Sequence, residues 1–201
     1  RGAGHTPPRD GTHPQVRFSG RFPCPVLFHT VRSILPRIKP EPPTNTGVHL
    51  SSAHLPTGLD PAAARGLLDR AREARAHAYA PYSRFPVGAA LLAVDGRVFT
   101  GCNVENASYG LTNCAERVAI GKAVSEGVQQ FVAVAVTGPE DSVAAAPCGA
   151  CRQVLSEFGP DMPVIMPAQG EPGYVVESIG GLLPGAFGPA RLAESQRARG
   201  G

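Results

Sequence analysis

Three cysteines and one glutamate carry the chemistry of this sequence. Cys114 precedes Glu116 by two residues in Thr112-Asn113-Cys114-Ala115-Glu116-Arg117, and Cys148 and Cys151 lie three apart in Pro147-Cys148-Gly149-Ala150-Cys151. A Cys-x-x-Cys alone fits a redox pair, a metal clip or coincidence. At a helix start, residues three apart share a face. A third thiol from the start of a second helix would then complete a set. Helix N-termini present partial positive charge and so favour thiolates over thiols. Three thiolates around a divalent zinc leave one tetrahedral corner for water, whereas structural zinc is normally closed by four protein ligands. No strong fourth ligand is in view. His77 falls in a predicted helix, where surface or packing roles are commoner. Cys102 falls in a predicted strand as a small buried hydrophobe, and Cys24 lies far upstream.

Glu116 is by default a first-turn residue that complements the helix dipole. Beside an open zinc it gains a specific use. It can take a proton from water and pass it to a substrate nitrogen, the role of the non-ligand glutamate in zinc deaminases, some of which use three cysteines. Arg117 answers a charge problem: three thiolates make the centre net negative, which weakens the Lewis acid. A guanidinium bonded to the sulfurs would restore acidity without displacing a ligand. The competing reading is an ordinary surface arginine on an amphipathic helix.

These groups require elements that bring them together. Asp60-Pro61 reads as an N-cap followed by proline at the first helical position. Leu67, Ala71, Ala74 and Ala78 then recur at helical spacing up to the break at Pro81. Val87–Val94 is a short apolar run, and Asp95-Gly96 signals a hairpin into Arg97–Val104. The pattern then predicts a helix from about Cys114 to Glu126, a strand Phe131–Thr137 and a helix from about Cys148 to Phe158. Strands at Pro163–Met166 and Tyr174–Ser178 and a short helix Pro189–Gln196 follow. Strands alternating with helices imply an α/β layer architecture with an antiparallel hairpin at its front. Both cysteine-bearing helices would begin at the carboxyl ends of their strands, where such sheets assemble sites. The 34-residue separation of Cys114 and Cys148 matches a helix, a strand and two loops.

Charge is unevenly placed along the 201 residues. Residues 1–56 hold seven basic and two acidic groups, with ten of the 21 prolines and five of the six histidines. They sustain no periodicity, and no apolar segment follows a basic start. They read as a disordered Pro/Arg-rich extension without a secretory signal. Residues 57–201 hold 12 basic and 14 acidic groups, which argues against a face built for long nucleic acid. No apolar run approaches the roughly 20 residues of a membrane span. Thiolate zinc ligands fit a reducing cytoplasm, and five cysteines cannot all pair within one chain.

Five segments together carry a family resemblance: Phe85-Pro-Val-Gly-Ala-Ala, Gly101-Cys-Asn-Val-Glu-Asn-Ala-Ser-Tyr-Gly, Asn113-Cys-Ala-Glu-Arg, Pro147-Cys-Gly-Ala-Cys-Arg-Gln-Val and Leu182-Leu-Pro-Gly-Ala-Phe. In this order, over roughly residues 59–190, the chain resembles cytidine deaminase of the small homotetrameric, zinc-dependent type. The resemblance implies a deaminase domain over 57–201 with a three-layer α/β/α fold and a five-stranded mixed sheet. It implies one zinc per subunit held by Cys114, Cys148 and Cys151, with Glu116 as proton shuttle and Arg117 as partner of the thiolates. Asn103 and Glu105 match the pair that holds the ribose hydroxyls, Phe85 the aromatic residue near the pyrimidine, and the Ala115 N–H the donor to its O2. Ala107, Tyr109 and Phe187 match positions through which neighbouring subunits complete a pocket. The implied activity is hydrolytic deamination of cytidine and deoxycytidine in pyrimidine salvage.

From the residues alone several alternatives stay open. Asn103 and Glu105, two apart, could be a solvated strand end, and Phe85 and Phe187 could simply pack in a core or interface. Competing functions are deamination of another aminopyrimidine compound, a non-enzymatic zinc module and editing of nucleic-acid bases. The acidic balance of 57–201 disfavours the last.

Overall fold

The computed structural model describes residues 59–199, so the expectation for residues 1–56 lies outside the described residues. The first helix, α1 (Pro61–Arg75), starts as its sequence signals. The Asp60 carboxylate accepts from the Ala63 N–H at 2.7 Å, with Pro61 at the first position. It ends a turn sooner than the spacing through Ala78 suggests. Tyr79 instead takes an extended conformation, donating its N–H to Asn103 O at 3.0 Å and accepting from Glu105 N at 2.8 Å. A long-range pairing thus overrides local helical spacing.

The strands β1 (Gly88–Ala93), β2 (Val98–Cys102), β3 (Phe131–Thr137), β4 (Pro163–Pro167) and β5 (Tyr174–Ser178) form one sheet in the order β2-β1-β3-β4-β5. The β1–β2 hairpin turns at Asp95-Gly96, where Gly96 has φ +85°. β1 is antiparallel to both β2 and β3, β3 is parallel to β4, and β5 is antiparallel to β4. Strands β2, β3 and β4 therefore share a direction, with β1 inserted between the first two. The sheet is mixed, as the resemblance implies.

Side chains alternate between the faces of the sheet with period two. Ala89, Leu91, Val134 and Val136 pack beneath α2 (Ala115–Ser125), α3 (Gly149–Ser156) and the short α4 (Ile179–Leu182). Ala90, Ala133, Ala135 and Ile165 pack beneath Leu67, Leu68 and Ala71 of α1. This is the expected three-layer α/β/α arrangement. One glycine on each face sets the helix height. A Cβ at Gly88 would lie 1.9 Å from Ala71 O, and one at Gly101 would lie 2.3 Å from Ala115 O. Both helices therefore rest on the bare backbone of the sheet.

The final helix α5 (Pro189–Arg199) runs past the expected end at Gln196, and α4 and a 3-10 turn at Tyr109–Leu111 carry too short a pattern to be predicted. Among the described residues, no helix is long and apolar enough to cross a membrane.

Candidate active site

β2 and β3 end on the same edge of the sheet, and the helices that follow them start there. Cys114 is the N-cap of α2 and Cys148 the N-cap of α3, both with extended backbone. Neither cysteine uses its side chain to cap its helix. Cys151 follows on the first turn of α3 and is fully buried. The three sulfurs lie within 4.8 Å of one another, and Cys114 Sγ is 3.9 Å from Cys148 Sγ. Tetrahedral zinc with Zn–S bonds of about 2.3 Å spaces its sulfurs by about 3.8 Å. The donor set therefore fits that ion. Among the described residues no histidine or carboxylate joins the group. Cys102 is elsewhere, its thiol directed to His77 O at 3.4 Å, and His77 is exposed.

The electrostatics of the cluster are those of a shared negative charge. Hydrogen bonding to the Cys151 thiol holds Cys114 well below the usual thiol range, with the Arg117 guanidinium contributing. The same bond, with burial and the Glu116 charge, pushes Cys151 up. Arg117 Nη2 lies 3.8 Å from Cys114 Sγ and also donates to Thr112 O. This is the guanidinium–sulfur contact expected from the sequence, and it raises the Arg117 pKa. Arg117 Nε is buried without a hydrogen-bond partner among the described residues. Glu116 is 4 % exposed, and burial raises its pKa above the ordinary carboxylate value. Such a group is poised to hold a proton as well as to accept one.

Cys114, Cys148 and Glu116 open onto a cavity of about 390 Å³, within the range of small-molecule sites. Phe85, Val87 and Val136 give it apolar walls, and Asn103 contributes a polar one. Asn103 is buried and does structural work at the same time. Its Oδ1 accepts from Val87 N at 2.8 Å and its Nδ2 donates to Phe85 O at 2.9 Å. One Nδ2 hydrogen and one Oδ1 lone pair remain for a ligand. Glu105 accepts from the amides of Tyr82 and Ser83 at 2.8 and 3.2 Å and from the Ser83 hydroxyl. The Ser83 hydroxyl is the chief reason that its pKa is lowered. Asn103 and Glu105 thus both face the 82–87 segment rather than forming a merely solvated strand end.

Glu105 lines an adjoining cavity of about 190 Å³ with Tyr82 and Tyr109. The Tyr82 and Tyr109 rings lie 5.9 Å apart. Ala115 is buried as the first residue of α2. Ala107 and Phe187 line neither cavity, and both are exposed, Phe187 to 60 %. Two contributors were missed in the sequence. Ser83 anchors Glu105 and accepts from the Phe85 N–H at 3.0 Å, and Thr112 lines both cavities. Ser83 sits in a turn where Arg84 has φ +56°, and no periodic pattern marks it.

Residues 62–166 match the family model described as the cytidine and deoxycytidylate deaminase zinc-binding region. A cytidine deaminase from Sporosarcina psychrophila is 50 % identical over 129 residues, covering 63 % of this chain and 93 % of the relative. One from Halalkalibacterium halodurans is 53 % identical over 123 residues, 60 % of this chain and 91 % of the relative. The crystal structure of cytidine deaminase from Burkholderia pseudomallei aligns with a TM-score of 0.57 at 52 % identity, covering 61 % of this chain and 98 % of that one.

Proposed function

The chain belongs to the cytidine and deoxycytidylate deaminase family, and from that premise we propose that it catalyses the zinc-dependent hydrolytic deamination of cytidine and deoxycytidine to uridine and deoxyuridine, with release of ammonia. One observation carries the reading. Three thiols converge, and two of them, Cys114 and Cys148, open with the buried Glu116 carboxyl onto a single cavity of about 390 Å³.

Cys114, Cys148 and Cys151 would hold one zinc per subunit. When bound, zinc lowers the pKa of a water in its open position to about 7, making a nucleophile available at neutral pH. The protein's own groups do the rest. Glu116 takes a proton from the attacking water and delivers it to ring N3 as the water oxygen bonds to C4. It then moves the proton of the new hydroxyl to the exocyclic nitrogen. The C4–N bond breaks, ammonia leaves, and the carbonyl of uridine remains. A carboxyl whose pKa is raised by burial suits this two-way traffic. The Ala115 N–H donates to O2, and Phe85 covers the pyrimidine. Asn103 and Glu105 hold the ribose hydroxyls, which fixes C4 at attack distance. A free cytosine base, which lacks the sugar, forfeits these contacts and is turned over far more slowly. Arg117 offsets the thiolate charge.

Ala107, Tyr109 and Phe187 contribute to the pockets of neighbouring subunits in a homotetramer. Their exposure and the absence of Ala107 and Phe187 from both cavities of one chain support this. Free thiols at Cys102, Cys114, Cys148 and Cys151 suit the reducing cytoplasm, where the reaction serves pyrimidine salvage. Residues 57–201 form the deaminase domain, and residues 1–56 are an extension dispensable for the chemistry. The test pairs loss of cytidine absorbance with metal analysis on one preparation. Turnover with zinc near one per subunit is expected, and Glu116→Gln should abolish turnover while zinc content stays near normal. Active protein free of transition metal, or full activity in that variant, overturns the proposal.

A further inference from the structure

The segment that carries Cys148 and Cys151 continues as Arg152-Gln153, two residues for which the proposed reaction has no use. Arg152 is half-buried on α3. Its Nε donates to Pro147 O at 2.6 Å, and its Nη1 donates to Leu182 O at 2.7 Å. Pro147 is fully buried and immediately precedes Cys148. The Arg152 backbone N–H donates to Cys148 O at 2.9 Å. One residue therefore grips Cys148 on both sides, through the carbonyl before it and through its own.

The second prong of the guanidinium reaches the last residue of α4. From there the chain runs through Leu183-Pro184-Gly185-Ala186 to Phe187, turning at Gly185 with φ +71°. Gln153 Nε2 donates to Phe187 O at 2.7 Å. Consecutive residues of the cysteine-bearing helix thus hold both ends of the 182–187 segment.

We infer that Arg152 is a positioning residue that couples the metal centre to the 182–187 segment: one guanidinium fixes the carbonyl before Cys148 and the carbonyl from which that segment departs. The inference rests on the proposed function, because it takes the three cysteines as metal ligands. A planar guanidinium spans two acceptors in fixed geometry, whereas an ammonium is a point charge on a flexible stem. An arginine that merely supported α3 would leave metal retention and the Leu182 end unlinked.

The test compares the holoenzyme of the parent, R152K and Q153A by zinc competition with a colorimetric chelator and by separate KM and kcat values. R152K should weaken zinc about 10- to 100-fold, the usual consequence of losing a group that orients a ligand, and should raise KM as well. Q153A touches only the segment, so it should raise KM while keeping zinc affinity. Zinc affinity in R152K within about twofold of the parent, or equal zinc loss in Q153A, overturns the inference. Should R152K not fold, hydrogen exchange on the parent decides. Chelation should release protection at 147–152 and at 182–187 together while α1 stays protected. Release at only one of these segments, or equally throughout the chain, overturns the coupling. A parent that neither binds zinc nor turns over cytidine would instead sink the proposed function.

Discussion

Replacing Gly101 with alanine should damage catalysis out of proportion to stability. The new Cβ would lie 2.3 Å from Ala115 O, 2.6 Å from Ala119 N and 3.0 Å from Val118 Cβ, while ordinary contact begins at 3.4 Å. The obstructing atoms are mostly backbone, so the first turn of α2 must retreat by about 1 Å. Overpacking of that kind costs about 1–3 kcal/mol. The retreating turn carries Ala115 and Glu116 and starts at Cys114, and a displacement of about 1 Å at reacting groups can cost on the order of 100-fold in rate. Gly88→Ala supplies the control. Its Cβ would lie 1.9 Å from Ala71 O on the opposite face, beneath a helix that carries none of the cysteines or Glu116. Thermal unfolding and cytidine turnover, measured on zinc-loaded protein, separate the two variants. Gly88→Ala should lose at least as much stability yet less than about tenfold in kcat. Equal losses of kcat in both variants, or Gly101→Ala within about threefold of the parent at equal zinc content, would refute the reasoning.

Other outcomes follow from the same geometry. Cys151→Ser should lose zinc, because a neutral hydroxyl replaces a thiolate donor; metal analysis after dialysis checks it. Ser83→Ala removes the donor that chiefly lowers the Glu105 pKa. Glu105 ionises below the ordinary carboxylate range in the parent, so KM should begin to rise at a higher pH in the variant as the medium is acidified. KM-versus-pH profiles of the two proteins test this. Arg75 likewise lowers the Asp141 pKa, with Nη1 2.8 Å from Oδ1. A lowered folded-state pKa means stabilisation that is present above the ordinary value and lost as pH falls through the folded one. Since Asp141 is half exposed, Asp141→Asn should cost about 1 kcal/mol or less at neutral pH, a difference that shrinks in acid. Unfolding midpoints across pH read it directly.

How much of this was legible in the sequence depended on range. Asp60-Pro61, Asp95-Gly96 and the Val-rich Phe131–Thr137 run announce themselves locally: the first helix starts where its cap predicts, and the hairpin strands and β3 formed within a residue or two of expectation. The three thiols were legible because their spacing relative to helix starts is itself local, and only their convergence needed the sheet. Tyr79 and Ser83 were not legible. Each is placed by partners more than 20 residues away, Asn103 and Glu105. The helical spacing through Ala78 misled because nothing near it reveals the bridge to Val104. The two roles of Asn103 were half visible: its position suggested a ligand contact, but not its bonds to Val87 and Phe85.

The insertion of β1 between β2 and β3 bears on the order of assembly. Adjacent strands lie about 4.8 Å apart, so the ends from which α2 and α3 depart are separated by nearly 10 Å of sheet that β1 alone supplies. Cys148 and Cys151 can meet as soon as one helical turn forms, but Cys114 arrives only after three strands have zipped. A refolding chain should therefore capture the ion loosely with two sulfurs first, and tight uptake becomes a clock for completion of the sheet.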